Sequence, residues 1–226
     1  MIVPAPDPAT VRTANLEELY RLRLPLPPST FPLVWEPGDE VGLRPVAELE
    51  ARTAILNVVL ACSMGMPSRL AMAWLLEARL MEQVTPPEWH YVTTGDGDHH
   101  SFALHLEAIT ALAWLLGLTG TLDPAAPGED GITALLPNLR EGEPFPEWRG
   151  RSLIAPRDPA AAAAVLDLYY CLDWAYMEAE WRGQQLPGLI DSNTIGQRRW
   201  ALEWAVVFRG PYHDDPVGWE EVDLST

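Results

Sequence analysis

Proline sets the boundaries of what this chain can fold into. Its 22 prolines gather before residue 46 and again, with glycine, between Thr119 and Arg157, and the stretches between them carry apolar residues at helical spacing. A proline inside a helix removes a hydrogen bond and clashes with the preceding turn, so helices must lie in the proline-free stretches. After Pro45, whose missing N–H is harmless at a first helical position, Val46, Leu49, Thr53, Leu56 and Leu60 recur every three or four residues. Gly65 and Pro67 close that helix.

The same reading continues along the chain. Ser68 caps a second helix to about Gln83, and Thr85-Pro86-Pro87-Glu88 has the spacing of a capping box that opens a short third one. A fourth runs from about His99 to Leu116 with two apolar stripes, which predicts a helix surrounded by protein. Asp158-Pro159 opens the longest helix, to about Gln184, and Thr194-x-x-Gln197 is a second capping box before the last. The segment from Thr119 to Arg157 reads as one long Pro/Gly-rich loop with a short helix near Ile132 to Leu136. Before Arg44 only one helical turn, Leu16 to Arg23, interrupts the prolines. No repeat and no long alternating run is present. The expected fold class is therefore all-α: a single-domain orthogonal helical bundle, with residues 1–44 as an irregular Pro-rich N-terminal arm and residues 45–226 as the helical domain.

Charge narrows the partners. Fifteen Lys+Arg against 32 Asp+Glu give a net charge of −17, which repels nucleic-acid phosphates and anionic membrane surfaces and favours encounter with a basic protein. Neither a secretory signal nor a span of membrane length is readable, so the expected location is the cytoplasm. Cys62 and Cys171 fall in apolar helices and read as reduced core thiols. Gly95-Asp96-Gly97-Asp98-His99-His100 concentrates potential ligands, but Ser101 stands where a calcium loop needs glycine, and His100 with His105 is no helical zinc pair. A solvated loop with a helix cap is the expectation, with no metal and no cofactor. No nucleophile turn or phosphate loop is recognisable, and no catalytic residue is assigned.

Polar residues inside apolar helices are the candidate binding residues. Glu107, on a helix apolar nearly all round, needs a partner or a proton. On the long helix Asp167, Tyr170, Trp174, Glu178 and Arg182 share one face, opposite a core stripe of Val165, Leu168, Leu172 and Ala175. Arg198 and Arg199 open the last helix within reach of either carboxylate, and Trp204 lines it. Three readings stay open: an internal ion-pair and aromatic lattice, a carboxylate-lined cleft of Glu107, Asp167 and Glu178 doing acid–base work, and an aromatic-acidic face that docks a partner.

The segments Leu166 to Trp174, Arg198 to Trp204 and Trp219-Glu220-Glu221-Val222, with Glu107-Ala108 through Leu118, resemble the bacterial domain-of-unknown-function family 4272. The likeness runs from about Val46 to the C-terminus. It implies a helical fold and no established activity. Glu107, Asp167, Tyr170, Trp174, Arg198, Trp204 and Trp219 match positions that this family tends to keep. Cys171, Asp173, Gln197 and Glu203 depart from its pattern, where Arg, His, Glu and Asn are usual, so the resemblance implies no fixed polar constellation.

The expected function is protein binding through acidic and aromatic surface, toward a basic partner, with an immunity-type role as a special case. An enzyme of unfamiliar type with a carboxylate-lined cleft and a purely structural domain are the alternatives.

Overall fold

The computed structural model describes residues 1–128 and 131–225; residues 129 and 130 of the long loop and the terminal Thr226 lie outside that description. The protein is mostly α-helical. In chain order the elements are β1 (Ile2–Pro4), α1 (Pro8–Arg21), β2 (Glu40–Leu43), α2 (Val46–Ser63), α3 (Ser68–Glu77), α4 (Pro86–Thr94), α5 (His99–Ala103), α6 (His105–Leu115), α7 (Phe145–Arg151), α8 (Pro159–Trp181), α9 (Ser192–Ala205) and β3 (Val206–Arg209). Single 3-10 turns lie at Met81–Gln83, Ile132–Leu135 and Trp219–Glu221. The chain divides into two compact units.

The first unit gathers residues 1–44, 121–127 and 157–226. Its strands form one antiparallel sheet with β2 central, Val41 facing Val3 on β1 and Phe208 on β3. α8 packs against α1, α9 and the sheet. Each helix has a chemical reason to begin where it does. The Asp7 carboxylate accepts the Thr10 N–H at 2.8 Å and Pro8 takes the first turn of α1, while Asp158 accepts from Ala160 and Ala161 before Pro159. Gly188, at φ +73, turns the chain where a Cβ would lie 1.7 Å from the Ala125 carbonyl, which leaves room only for glycine.

The second unit comprises residues 45–120 and 128–156. Every residue of α2 from Leu49 to Leu60 and of α6 from Glu107 to Leu115 is buried, and the two helices pack together. Trp74, Leu75, Tyr91 and Val92 extend this core from α3 and α4. The capping box at Thr85 and Glu88 forms as its spacing predicts.

Several boundaries differ from the sequence reading. The N-terminal turn is a full helix, because its prolines flank Pro8–Arg21 and none interrupts it. The three strands are three or four residues long, too short for alternation to register. α3 stops at Glu77 because Arg79 adopts φ +59, and the helix read from His99 to Leu116 breaks at Leu104 into α5 and α6. α7 lies inside the stretch read as loop. The last helix starts two residues before Thr194, where Asp191 accepts the Thr194 N–H at 2.9 Å, so the second capping box is not used.

Candidate functional site

The chain contains no lysine: all 15 of its cations are arginines. A guanidinium offers five donors in a rigid planar fork, so it can hold a carboxylate with two bonds and still reach a carbonyl or lie on a ring. The polar interior uses that property repeatedly.

In the first unit it begins at Asp167, 1% exposed on α8. Arg12 on α1 grips it with Nε at 3.1 Å and Nη2 at 2.7 Å, and Asn15 Nδ2 donates at 2.9 Å. Arg12 Nη2 also reaches the Pro32 carbonyl at 2.9 Å. One turn further along α8, the Tyr170 ring carries two guanidiniums, Arg12 at 5.8 Å and Arg199 at 4.6 Å from its centroid, with Phe31 at 4.8 Å. Burial raises the Tyr170 hydroxyl above its ordinary range, against the pull of Arg199. Trp174 is half-buried, 6.1 Å from Phe31.

Arg199 on α9 holds Asp173 at 2.6 Å and Glu203 at 3.3 Å, and donates to the Leu224 carbonyl at 3.1 Å. Burial pushes both carboxyls above the usual range, partly offset by Arg199. For Glu203 the nearby Asp173 and Asp223 add to the rise. Arg198 serves the backbone instead, donating to the carbonyls of Asp123 at 2.6 Å and Ala126 at 2.8 Å, and to the Tyr169 hydroxyl at 3.1 Å.

These contacts place each candidate. Asp167, Tyr170 and Trp174 come together around Arg12 and Phe31. Glu178 and Arg182 pair one turn apart near the surface of α8. Trp204 lies under the Arg44 guanidinium, 4.6 Å from its centroid, and meets Trp219 edge-on at 5.4 Å. Glu107 belongs to the second unit, where its Oε1 accepts the Gly128 N–H at 3.3 Å. The two-faced reading of α8 gives way to burial nearly all round: Tyr169 and Tyr176 are fully enclosed, while Val165 and Leu168 are only half-buried. The amphipathic expectation failed because α8 is flanked by two helices and a sheet.

Sequence reasoning used Trp219-Glu220-Glu221-Val222 only for the family resemblance and assigned no site to the segment after β3. Residues 210–225 hold five carboxylates, Asp214, Asp215, Glu220, Glu221 and Asp223, and no arginine. All five are exposed. This acidic ribbon is nevertheless fixed at four points. His213 Nε2 meets Asp39 Oδ2 at 2.8 Å, and the Arg44 guanidinium donates to the Val217 carbonyl. Trp219 is buried against Trp200 and Trp204, and Arg199 holds the Leu224 carbonyl. The signal was present as a run of acids with no arginine in the same segment, next to a tryptophan, but two of its four anchors, Asp39 and Arg44, sit more than 170 residues upstream.

Between β3 and the ribbon lie two adjoining clefts of about 250 and 200 Å³, which share His213, Asp214, Asp215 and Pro216. Arg209 borders the first; Glu203, Trp204 and Arg44 border the second. The His213 ring stacks on Phe208 at 5.4 Å, which stacks on Trp35 at 5.2 Å. Asp39 is buried and also accepts the Glu36 N–H at 2.8 Å. Gly210 leaves room for that carboxylate, since a Cβ there would sit 1.9 Å from Asp39 Oδ1.

The second unit has a polar interior of its own. Arg52 and Glu88 meet at 2.5 Å, both buried, and the other Glu88 oxygen accepts the Thr85 N–H at 2.9 Å as half of the capping box. Asp98 caps α5 through the N–H groups of His100 and Ser101. Cys62 and Cys171 are free, and burial lifts their thiols to about 11 and about 12, so both stay protonated at neutral pH.

Burial drives His105 the other way, down to about 4 from 6.5. Its neutral form is thus favoured in the folded state. The stability this gives is complete above pH 6.5 and falls away as the pH drops toward 4, where the unfolded chain takes up the proton first. The loss should approach about 3 kcal/mol. Asp173 and Glu203, with raised carboxyls, act with the opposite sign, so the informative quantity is a difference. His105→Leu should flatten the fall in stability between pH 6.5 and 4 relative to the unaltered protein, as measured by denaturant titration at each pH.

The family model described as Domain of unknown function (DUF4272) matches residues 12–222. No curated protein and no solved structure matches the chain.

Proposed function

The chain belongs to the DUF4272 family, and we propose that it is a cytoplasmic binding protein that captures a basic protein partner on its acidic ribbon. The observation that carries this reading is the ribbon itself, five exposed carboxylates in a segment whose own sequence has no arginine, held at four anchor points in a chain of net charge −17. Anchoring matters because a surface already fixed in its binding geometry loses little conformational freedom when a partner docks. The charge favours fast, salt-sensitive encounter with cations. Among the described residues no helix is long and apolar enough to cross a membrane.

The alternative of an acid–base cleft draws less support. Asp167 is committed to Arg12 and Asn15, and Glu178 to Arg182, so neither stands ready to exchange a proton with a substrate.

The test compares the unaltered protein with a variant carrying Asp214→Asn, Asp215→Asn, Glu220→Gln, Glu221→Gln and Asp223→Asn. Each is used as bait in a lysate at low ionic strength and at several hundred millimolar salt. Exposed charges more than about 10 Å apart are screened at 0.1 M, so the ribbon's captures should be basic, salt-sensitive and absent from the variant. Identical captures by both baits would sink the proposal.

A further inference from the structure

We propose that the Asp215–Pro216 peptide bond is a self-cleavage site, the one of the chain's four Asp–Pro bonds that the fold leaves open to attack by its own aspartate. The cleavage goes beyond the ribbon reading and does not depend on it.

An Asp–Pro bond is weaker than other peptide bonds for two reasons. The aspartate carboxylate reaches its own carbonyl carbon through a five-membered ring, so the nucleophile is already beside its target. The nitrogen that must leave belongs to a tertiary amide, and its two alkyl substituents make it more basic than an ordinary peptide nitrogen. The step balances with water alone. One Asp215 carboxylate oxygen bonds to the Asp215 carbonyl carbon, the bond from that carbon to the Pro216 nitrogen breaks, and the nitrogen departs with a proton taken from solvent. Water then opens the cyclic anhydride, which restores the side-chain carboxylate and leaves a second carboxylate as the new chain end. Mild acid speeds the first stage because it supplies the proton to the leaving nitrogen.

The four bonds follow Asp7, Asp123, Asp158 and Asp215. At the first three, both reacting groups are occupied. The Asp7 carboxylate accepts from the N–H and hydroxyl of Thr10, at 2.8 and 2.6 Å, and its carbonyl accepts the Val11 N–H at 3.1 Å. The Asp158 carboxylate accepts the N–H groups of Ala160 and Ala161, at 3.0 and 3.1 Å, and its carbonyl accepts the Ala162 N–H at 2.9 Å. The Asp123 carboxylate accepts the Ala125 N–H at 2.8 Å and its carbonyl accepts from the Arg198 guanidinium at 2.6 Å, while the next carbonyl, that of Pro124, accepts the Tyr176 hydroxyl at 2.7 Å. Hydrogen bonds to a carboxylate stabilise its charge and so weaken it as a nucleophile. Those to the flanking backbone hold the two prospective chain ends together, so that the proline nitrogen returns to the anhydride before water opens it.

Asp215 is placed otherwise. It is exposed together with Pro216 in an irregular stretch, and among the described residues neither its carboxylate nor its carbonyl accepts a hydrogen bond. Asp215 borders both clefts, and most of the charged and titratable groups there answer to others. His213 is turned to Asp39, Arg44 lies on Trp204 and donates to the Val217 carbonyl, and Glu203 is held by Arg199. Asp214 precedes it on the loop, and Arg209 borders the first cleft from β3. The segment is fixed at His213 and at Val217, and the bond in question lies between those points. Its breakage separates residues 216–226, with Glu220, Glu221 and Asp223, from the body. The contacts of Val217, Trp219 and Leu224 then carry that part of the ribbon without a covalent link.

Intact-mass spectrometry of the full chain tests the site. The protein is incubated at the lowest pH at which circular dichroism still shows its native helix content, beside the same protein unfolded in guanidinium chloride at that pH, until the unfolded control is cut. In the unfolded chain the four bonds should break at similar rates. In the folded protein the cut after Asp215 should run at least about tenfold faster than any of the other three. Asp215→Asn removes the carboxylate and Pro216→Ala the tertiary amide, and each should slow cleavage at this position at least about tenfold. An unchanged cut in Asp215→Asn assigns the break to another agent and overturns the proposal. A folded chain that stays whole at Asp215 while the unfolded one is cut there overturns it too, as does a folded chain cut equally fast after Asp7, Asp123 or Asp158. Capture of a basic protein enters none of these readouts, so the ribbon reading stands or falls separately.

Discussion

Arg12→Met will lower the unfolding free energy by about 3–5 kcal/mol, the range for removing one partner of a buried ion pair. The cost comes from what is left behind. Asp167, 1% exposed, would keep Asn15 as its side-chain donor, and a carboxylate stripped of its cation in that position must hold its charge out of water or take a proton. Met fills much of the arginine's stem volume, so the change reports mainly on charge. The double change Arg12→Met with Asp167→Leu should recover most of the loss, because removing both charges removes the desolvation cost of both. Denaturant titrations of the two single variants and the double close the cycle. A loss below about 1 kcal/mol for Arg12→Met would show that Asp167 does not depend on it.

A change of comparable size is expected in the second unit at Glu88. This carboxylate does two things at once, pairing with buried Arg52 and accepting the Thr85 N–H at the start of α4. Glu88→Leu should cost about 3–5 kcal/mol for the stranded arginine, with about 1 kcal/mol more for the lost cap. Glu88→Gln separates the two, since it keeps an acceptor for the cap while removing the negative charge. The glutamine variant should fall between the leucine variant and the unaltered protein, and far-UV circular dichroism should show α4 retained in it. Equal stability of the glutamine and unaltered proteins would mean that the Arg52 pair contributes nothing net.

Much of the helical content was readable, and for stated reasons. Pro45, Thr85 with Glu88, and Asp158 with Pro159 announce helix starts through local chemistry that needs no tertiary context, and α2, α4 and α8 begin there. The uniform apolar character of α6 likewise foretold its enclosure. What stayed hidden depends on partners far along the chain. Arg12 drew no notice as a surface-like residue in a proline-rich segment, yet its carboxylate lies 155 positions away. His213 and Asp39 are separated by 174, and neither sits in a recognisable motif. Of the polar positions singled out on helices, Asp167 and Tyr170 do share one lattice, because they lie one turn apart on α8. The acids of that face, Asp167 and Glu178, pair with Arg12 and Arg182, while the two arginines expected to reach them have other partners. Arg199 meets Asp173 and Glu203, and Arg198 is turned to carbonyls of the 121–127 segment.

That short segment has a consequence for how the protein is made. Residues 121–127 belong to the first unit but interrupt the second, whose last residue is Pro156. During synthesis on the ribosome, the second unit has all of its sequence available while α8, α9 and β3 are still untranslated. The first unit must wait for residues 157–226, with α1 lacking its Asp167 counterpart for about 150 residues of elongation. Nascent-chain truncations ending near Pro156 should therefore already protect α2 and α6 from protease while leaving α1 open to cleavage.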